Sequence, residues 1–90
     1  MLEQPLEIDK EHLKTFFNQY LQKHTFFKTN NITKQYITEI LNISPKDYLY
    51  AKLKMKIAGN LRPLLNQKFD TNSIEIWSVN QNNTVYKIRK

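Results

Sequence analysis

The sequence predicts a small α+β domain in which three helices precede a C-terminal two-stranded β-hairpin. Two observations lead to this prediction. Apolar residues recur at helical spacing from Leu13 to Leu61, and the spacing changes to every second residue from Ser73 onwards. The length of 90 residues suits one domain. We expect residues 1–8 to form an N-terminal tail and residues 9–90 to form that domain.

The first predicted helix has the clearest pattern. Its apolar stripe recurs every three or four residues, at Leu13, Phe16, Phe17, Tyr20, Leu21 and His24. Asp9 suits the N-cap because a carboxylate there accepts a hydrogen bond from the first turn. Two histidines, far apart on this helix, and the absence of cysteine give no metal-ligand pattern, so we expect no metal and no cofactor.

A connector and a second helix are expected next. Residues 26–28 leave room for a short edge strand, and residues 29–31 favour a turn. The second helix is predicted to begin at Thr33 as N-cap and to end at Asn42, since asparagine tolerates the left-handed backbone that ends helices. Its predicted buried face consists of Tyr36, Ile37, Ile40 and Leu41.

The third helix is predicted to begin at Ser44-Pro45, with Asp47 near its positive end. Its core face is expected to carry apolar residues spaced by about four, namely Leu49, Tyr50, Leu53, Ile57 and Leu61. We expect this helix to weaken at Gly59 and to end at Arg62-Pro63, because the residue before a proline avoids the helical region.

Residues 73–79 and 84–89 alternate in the manner of strands, and residues 80–83 favour a turn between them. The register of this hairpin decides the role of Trp77. A two- or four-residue turn buries Trp77 with Tyr86 and Ile88, which is the arrangement that we favour. A three-residue turn leaves Trp77 beside Lys87 and Arg89, in a position to stack on unpaired bases.

Residues 33–53 resemble the helix-turn-helix of bacterial and phage DNA-binding proteins. That family often has Ile-Ala-x-x-Leu-Gly-Ile-Ser-x-x-x-Val, and residues 37–48 here are Ile-Thr-Glu-Ile-Leu-Asn-Ile-Ser-Pro-Lys-Asp-Tyr. The matching residues are Ile37, Leu41, Ile43 and Ser44, whereas Thr38, Ile40 and Tyr48 depart from the pattern. With the hairpin added, residues 9–90 resemble the winged-helix superfamily, and the resemblance implies a small winged helix whose wing is the hairpin.

The positive charge lies entirely in the second half of the chain. Residues 1–43 carry five bases and five acids, whereas residues 44–90 carry nine bases and three acids, which accounts for the net charge of +6. Such an asymmetry suggests a polyanionic partner. The same lysines would also suit a solvated helix face.

In the winged-helix family the outward side of the third helix lies in the major groove. By that resemblance we expect DNA, double- or single-stranded, as the partner, bound mainly through phosphate contacts. The candidate contact residues are Lys46, Tyr48, Lys52, Lys54, Met55, Lys56 and Arg62 around the third helix, with Lys87 and Arg89 on the hairpin. The implied role is regulation, or assistance in the replication or recombination of a mobile element.

A second hypothesis is a protein-interaction winged helix that docks on a larger enzyme or forms a homodimer. It is favoured by the apolar side chains that so small a domain leaves at its surface, with Phe26, Phe27, Ile40 and Met55 as candidates.

Catalysis is not expected, because the sequence has no paired carboxylates, no nucleophile with a histidine partner and no glycine-rich phosphate loop. No apolar run reaches the ~18 residues of a membrane span, and the N-terminus lacks a signal pattern. We therefore expect no membrane partner and a cytoplasmic location.

Overall fold

The computed structural model describes residues 8–80 and 83–89, without the side chain of Asn83. In chain order the elements are α1 (Lys10–Lys23), β1 (Phe26–Phe27), α2 (Thr29–Gln35), α3 (Leu49–Asp70), β2 (Ile74–Asn80) and β3 (Asn83–Ile88). They form an α+β domain with three helices and an antiparallel sheet in the order β1-β3-β2. The predicted tail at 1–8 lies outside the described residues, apart from Ile8.

The first helix agrees with its prediction. The Asp9 carboxylate accepts a hydrogen bond from the His12 backbone N–H at 3.1 Å and so caps α1. The buried members of the apolar stripe are Leu13, Phe17, Tyr20 and Leu21.

The predicted start of the second helix is wrong, because α2 begins four residues before Thr33. The first turn forms directly after β1, with the Lys28 carbonyl accepting from the Asn31 and Ile32 backbone N–H groups at 3.1 and 3.3 Å. Thr33 is a buried side chain inside the helix. Burial of Ile32 and Thr33 in the core outweighs the weak helix propensity of Thr29-Asn30-Asn31.

A π-helical turn, Tyr36–Ile40, follows α2 and changes the predicted buried face. The Leu41 N–H donates to the Tyr36 carbonyl at 3.1 Å, a hydrogen bond that spans five residues instead of four. Tyr36 and Ile37 are buried as expected, but Ile40 is exposed because the wider turn alters the direction of the residues that follow. Asn42 ends the segment with a φ of 59°, as predicted.

The third helix begins at Leu49, so the predicted start at Ser44-Pro45 is wrong. Residues 44–48 form a separate turn, in which the Ser44 carbonyl accepts from the Asp47 N–H at 2.9 Å. The Asp47 carboxylate accepts from the Leu49 N–H at 2.9 Å and thereby satisfies a donor at the helix start.

The predicted end of this helix at Arg62-Pro63 is also wrong, since α3 continues through Pro63 to Asp70. Leu61 is fully buried, and three further residues beyond the proline pack against the core, namely Leu64, Leu65 and Phe69. Burial of these side chains offsets the hydrogen bond that Pro63 removes from the helix.

The sheet has a third strand beside the predicted hairpin, because the short edge strand allowed for at residues 26–28 forms as β1 and pairs with β3 through Phe26–Lys87 and Phe27–Tyr86. Strands β2 and β3 also pair antiparallel, with Asn80 opposite Asn83. The middle of the predicted turn, residues 81–82, lies outside the described residues.

One hydrophobic core lies between the three helices and one side of the sheet. The Phe27 ring contacts Phe17 of α1 and Tyr86 of β3, with ring centroids 6.1 and 5.1 Å apart. Ile74 and Ile88 are buried on this side of the sheet. Since strand residues alternate between the two sides, their sequence neighbours point away from the core.

Candidate nucleic-acid interface

The buried face of α3 fixes which of its side chains point outward. Leu53, Ile57 and Leu61 are fully or almost fully buried, and Leu49 and Tyr50 pack partly against the core, as predicted. Successive residues of an α-helix are rotated by about 100° around its axis, which places a different set of residues on the side opposite the core. We call this set the α3 outer face, and all of its members are exposed: Tyr48, Lys52, Met55, Lys56, Gly59 and Arg62.

The α3 outer face is strongly basic. Between Leu49 and Phe69 the helix has no acidic residue, and Asp70 is its last residue. Over the same stretch it carries five bases, Lys52, Lys54, Lys56, Arg62 and Lys68. Lys54 is exposed on one flank and Lys56 on the other. Positive charge therefore extends to both sides of the exposed surface.

Two large apolar side chains lie among these charges. Tyr48 is 80% exposed and Met55 is 78% exposed, the two highest values among the exposed large hydrophobic residues described. Lys46 is exposed in the turn before α3, where its backbone N–H donates to the Ser44 hydroxyl at 3.2 Å. The predicted residues from Lys46 to Arg62 thus come from one helix and the turn before it.

The hairpin residues form a second surface on the side of the sheet that faces away from the core. Trp77 is 58% exposed there, so the favoured prediction that it is buried is wrong. The Lys87 ammonium lies 4.8 Å from the Trp77 ring centroid, and the Phe26 ring meets Trp77 edge-on at 5.3 Å. We call Phe26, Trp77 and Lys87 the sheet aromatic patch.

Arg89, the other predicted contact residue on the hairpin, forms an ion pair. Its guanidinium donates to the Glu75 carboxylate at 2.9 Å, with both side chains partly exposed. The pair lies beside the sheet aromatic patch, since Glu75 is opposite Lys87 in the register. The negative charge of Glu75 therefore offsets part of the positive charge of Lys87 and Arg89 on the hairpin.

Sequence reasoning did not include Phe26 in the site. Its place in the patch depends on the pairing of β1 with β3, which brings residue 26 beside residue 87. The alternation of Phe26 and Phe27 was the available signal, since one member of such a pair faces outward.

Within the described parts of the chain, no group of three histidine, cysteine, aspartate or glutamate side chains could hold a metal ion. None of the helices in residues 8–80 combines the length and apolar character needed to cross a bilayer. Comparison of the chain with protein-family models, curated proteins and solved structures finds no match.

Proposed function

We propose that this protein is a winged helix that binds DNA mainly through phosphate contacts made by the α3 outer face. The proposal is supported by the order of three helices followed by a hairpin, and by the short segment 41–48 that joins the π-helical turn to α3. The order of elements is what the winged-helix resemblance implies, whereas the connecting segment is longer than the turn predicted between Asn42 and Ser44.

The observation that carries the proposal is the run of 21 residues in α3 that contains five bases and no acid. The four exposed bases of this run, Lys52, Lys54, Lys56 and Arg62, present a positive field along about 15 Å of the helix axis. The negative charges of duplex DNA recur every ~1.7 Å of its axis, so such a helix can neutralise several phosphates at once.

The chemistry of the side chains favours contacts that do not depend on base sequence. Lys52, Lys54 and Lys56 end in point charges on flexible stems, which suit phosphate oxygens better than base edges. Asn60 is a residue type that can read adenine, but its side-chain amide donates to the Lys56 carbonyl at 2.8 Å. Weak base readout favours an accessory role in replication or recombination over a sequence-specific regulator.

The test is charge reversal on the outer face. In the double variant Lys52→Glu/Lys56→Glu we expect DNA affinity to fall at least tenfold at low salt. The slope of log affinity against log salt concentration should decrease by about two, roughly one for each lost phosphate contact. Fluorescence anisotropy with a random duplex over a salt series measures both quantities.

A matched control is Lys14→Glu/Lys23→Glu, which makes the same change in net charge at two exposed positions of α1. This control should keep most of the affinity and most of the salt slope. Equal losses in the two double variants would show that only net charge matters, and would refute the α3 outer face as the binding surface.

A second candidate function is docking on another protein, and the exposure of Tyr48 and Met55 on one face favours it. Tyrosine and methionine are enriched at protein interfaces relative to the rest of the surface, and a polar rim surrounds the apolar centre. Under this alternative the purified chain shows no salt-sensitive binding to duplex or single-stranded DNA.

A further inference from the structure

We infer that the sheet aromatic patch binds unpaired bases of single-stranded DNA, which stack on Trp77. This inference deepens the proposed function and rests on it, because it takes nucleic acid as the ligand. It adds a second contact surface on the sheet and a preference for DNA in which some bases are unpaired.

The exposure of Trp77 is produced by an irregularity in the sheet. Next to the turn of the hairpin, Val79 pairs with Thr84 and Ser78 pairs with Val85. Continued regularly, this register would place Trp77 opposite Tyr86, a residue that packs against the core. A bulge between Ile76 and Ser78 shifts the pairing, so that Ile76 takes the place opposite Tyr86.

The bulge thus directs the Trp77 side chain to the outer side of the sheet, as bulges near binding sites often do. An indole that could contribute to a small core instead meets solvent over more than half of its surface. Exposing an indole forgoes the stability that its burial in the core would supply, and this points to a role for the ring outside the core.

The surroundings of Trp77 match the chemistry of an unpaired nucleotide. Phe26 contacts the indole edge-on, and this contact restricts the orientation of the ring. The Lys87 ammonium lies over the ring and supplies a positive charge close to where the phosphate of a stacked nucleotide would be. The neighbouring carboxylate of Glu75 is already paired with Arg89, so it opposes an anion less than a lone acid would.

Binding requires an exchange of contacts on the indole. A base that stacks on the face under Lys87 displaces the ammonium, which moves to the phosphate of the same nucleotide. Base stacking on an exposed ring is stronger than an exposed cation–π contact, so the exchange favours the bound state. A duplex keeps its base faces covered by their neighbours, and for that reason the ligand is single-stranded.

Trp77 is the only tryptophan in the chain, so its fluorescence reports directly on the proposed site. We expect an oligothymidine to quench this fluorescence. An abasic oligonucleotide of equal length, with the same phosphates and no bases, should quench little and should bind about tenfold more weakly by anisotropy.

In Trp77→Ala the affinity for oligothymidine should fall about tenfold, to the level of the abasic strand, which itself binds unchanged. Trp77→Phe keeps a ring and should retain much of the difference between the two strands. The control Val79→Ala truncates another exposed side chain of β2 and should behave as the original chain does. Circular dichroism melting curves show whether each variant is folded.

The inference is overturned if the original chain binds the abasic strand as tightly as oligothymidine, a result that needs no variant to fold. It is also overturned if folded Trp77→Ala keeps the preference for bases. Either result leaves the proposed function standing when Lys52→Glu/Lys56→Glu still loses duplex affinity. Conversely, unchanged duplex affinity in that double variant refutes the α3 outer face without affecting the fluorescence result.

Discussion

Tyr36 shows how a single buried side chain ties the N-terminal helix to the rest of the core. Its ring contacts Phe16 edge-on at 5.2 Å, and its hydroxyl is hydrogen-bonded to Nδ1 of His12 at 2.9 Å. Burial raises the pKa of the Tyr36 hydroxyl, and the negative charge of Asp9 raises the pKa further. The protonated phenol is therefore the form that the fold stabilises.

This pKa shift makes stability depend on pH in the alkaline range. Below the unfolded pKa of 10.0 both states hold the proton, and the contribution of Tyr36 to stability is complete. Above it the unfolded chain releases the proton first, so the free energy of unfolding decreases as pH rises through the raised folded pKa. Urea denaturation between about pH 8 and pH 11 should show this decrease.

The substitution Tyr36→Phe should make the alkaline decrease smaller, because the titrating hydroxyl is gone. Tyr48→Phe is the matched control, since it removes an equivalent hydroxyl from a side chain that is 80% exposed. A decrease of equal size in Tyr36→Phe and in the original chain would show that other groups cause it.

At the scale of the element, α3 is a long helix that contains two residues unfavourable to helices. Gly59 and Pro63 are four residues apart, and both are exposed. The proline ring removes one hydrogen bond from the helix and crowds the Gly59 carbonyl. The helix continues past them because the residues on its other side are held in the core.

Gly59→Ala should stabilise the protein by about 0.5–1 kcal/mol, because alanine loses less conformational freedom on helix formation than glycine. Apart from its chain neighbours and the backbone of its own helix, a Cβ at this position would meet no atom within 4 Å, so no steric cost offsets the gain. Thermal unfolding should show the increase. An unchanged or lower melting temperature would indicate that the distortion around Pro63 requires glycine.

At the scale of the whole molecule, β1 connects the sheet to the helices through a strand of only two residues. Phe27 faces the core at 3% exposure, whereas Phe26 faces outward at 43%. A domain of 90 residues has a total stability of about 5–13 kcal/mol. One core residue can therefore carry a large share of it.

Phe27→Ala should cost about 3–5 kcal/mol, because it leaves a cavity between α1 and β3. The adjacent substitution Phe26→Ala removes the same side chain from the outer side and should cost at most about 1 kcal/mol. Urea denaturation of the two variants tests this. Similar losses of stability in the two variants would contradict the assignment of Phe27 to the core side of β1 and Phe26 to its outer side.

The pattern of apolar residues predicted most of the elements, and its errors have physical causes. The stripe in α1 is confirmed because a 3.6-residue period and an Asp9 cap are both local features. The capping preference of Thr33 predicted the start of α2, and the preference of Pro63 against a helix interior predicted the end of α3. Both boundaries moved because core packing outweighed those preferences.

The sequence predicted one of the two surfaces of the candidate site and not the other. The exposed side of α3 follows from the spacing of its buried residues, so the lysines around Met55 were placed from sequence. The sheet aromatic patch does not follow, because a bulge at Trp77 and the pairing of β1 with β3 join residues that are distant in the chain.

The sequence by itself determined the α+β class, the three helices, the hairpin and the concentration of positive charge in the second half. These depend on composition and on periods of two or 3.6 residues, which any segment carries within itself. Only the tertiary structure decided that the possible edge strand at residues 26–28 pairs with β3, how long α3 is and that Trp77 is exposed. Each depends on contacts between segments far apart in the chain, and the free energy of those contacts exceeds that of the local preferences that oppose them.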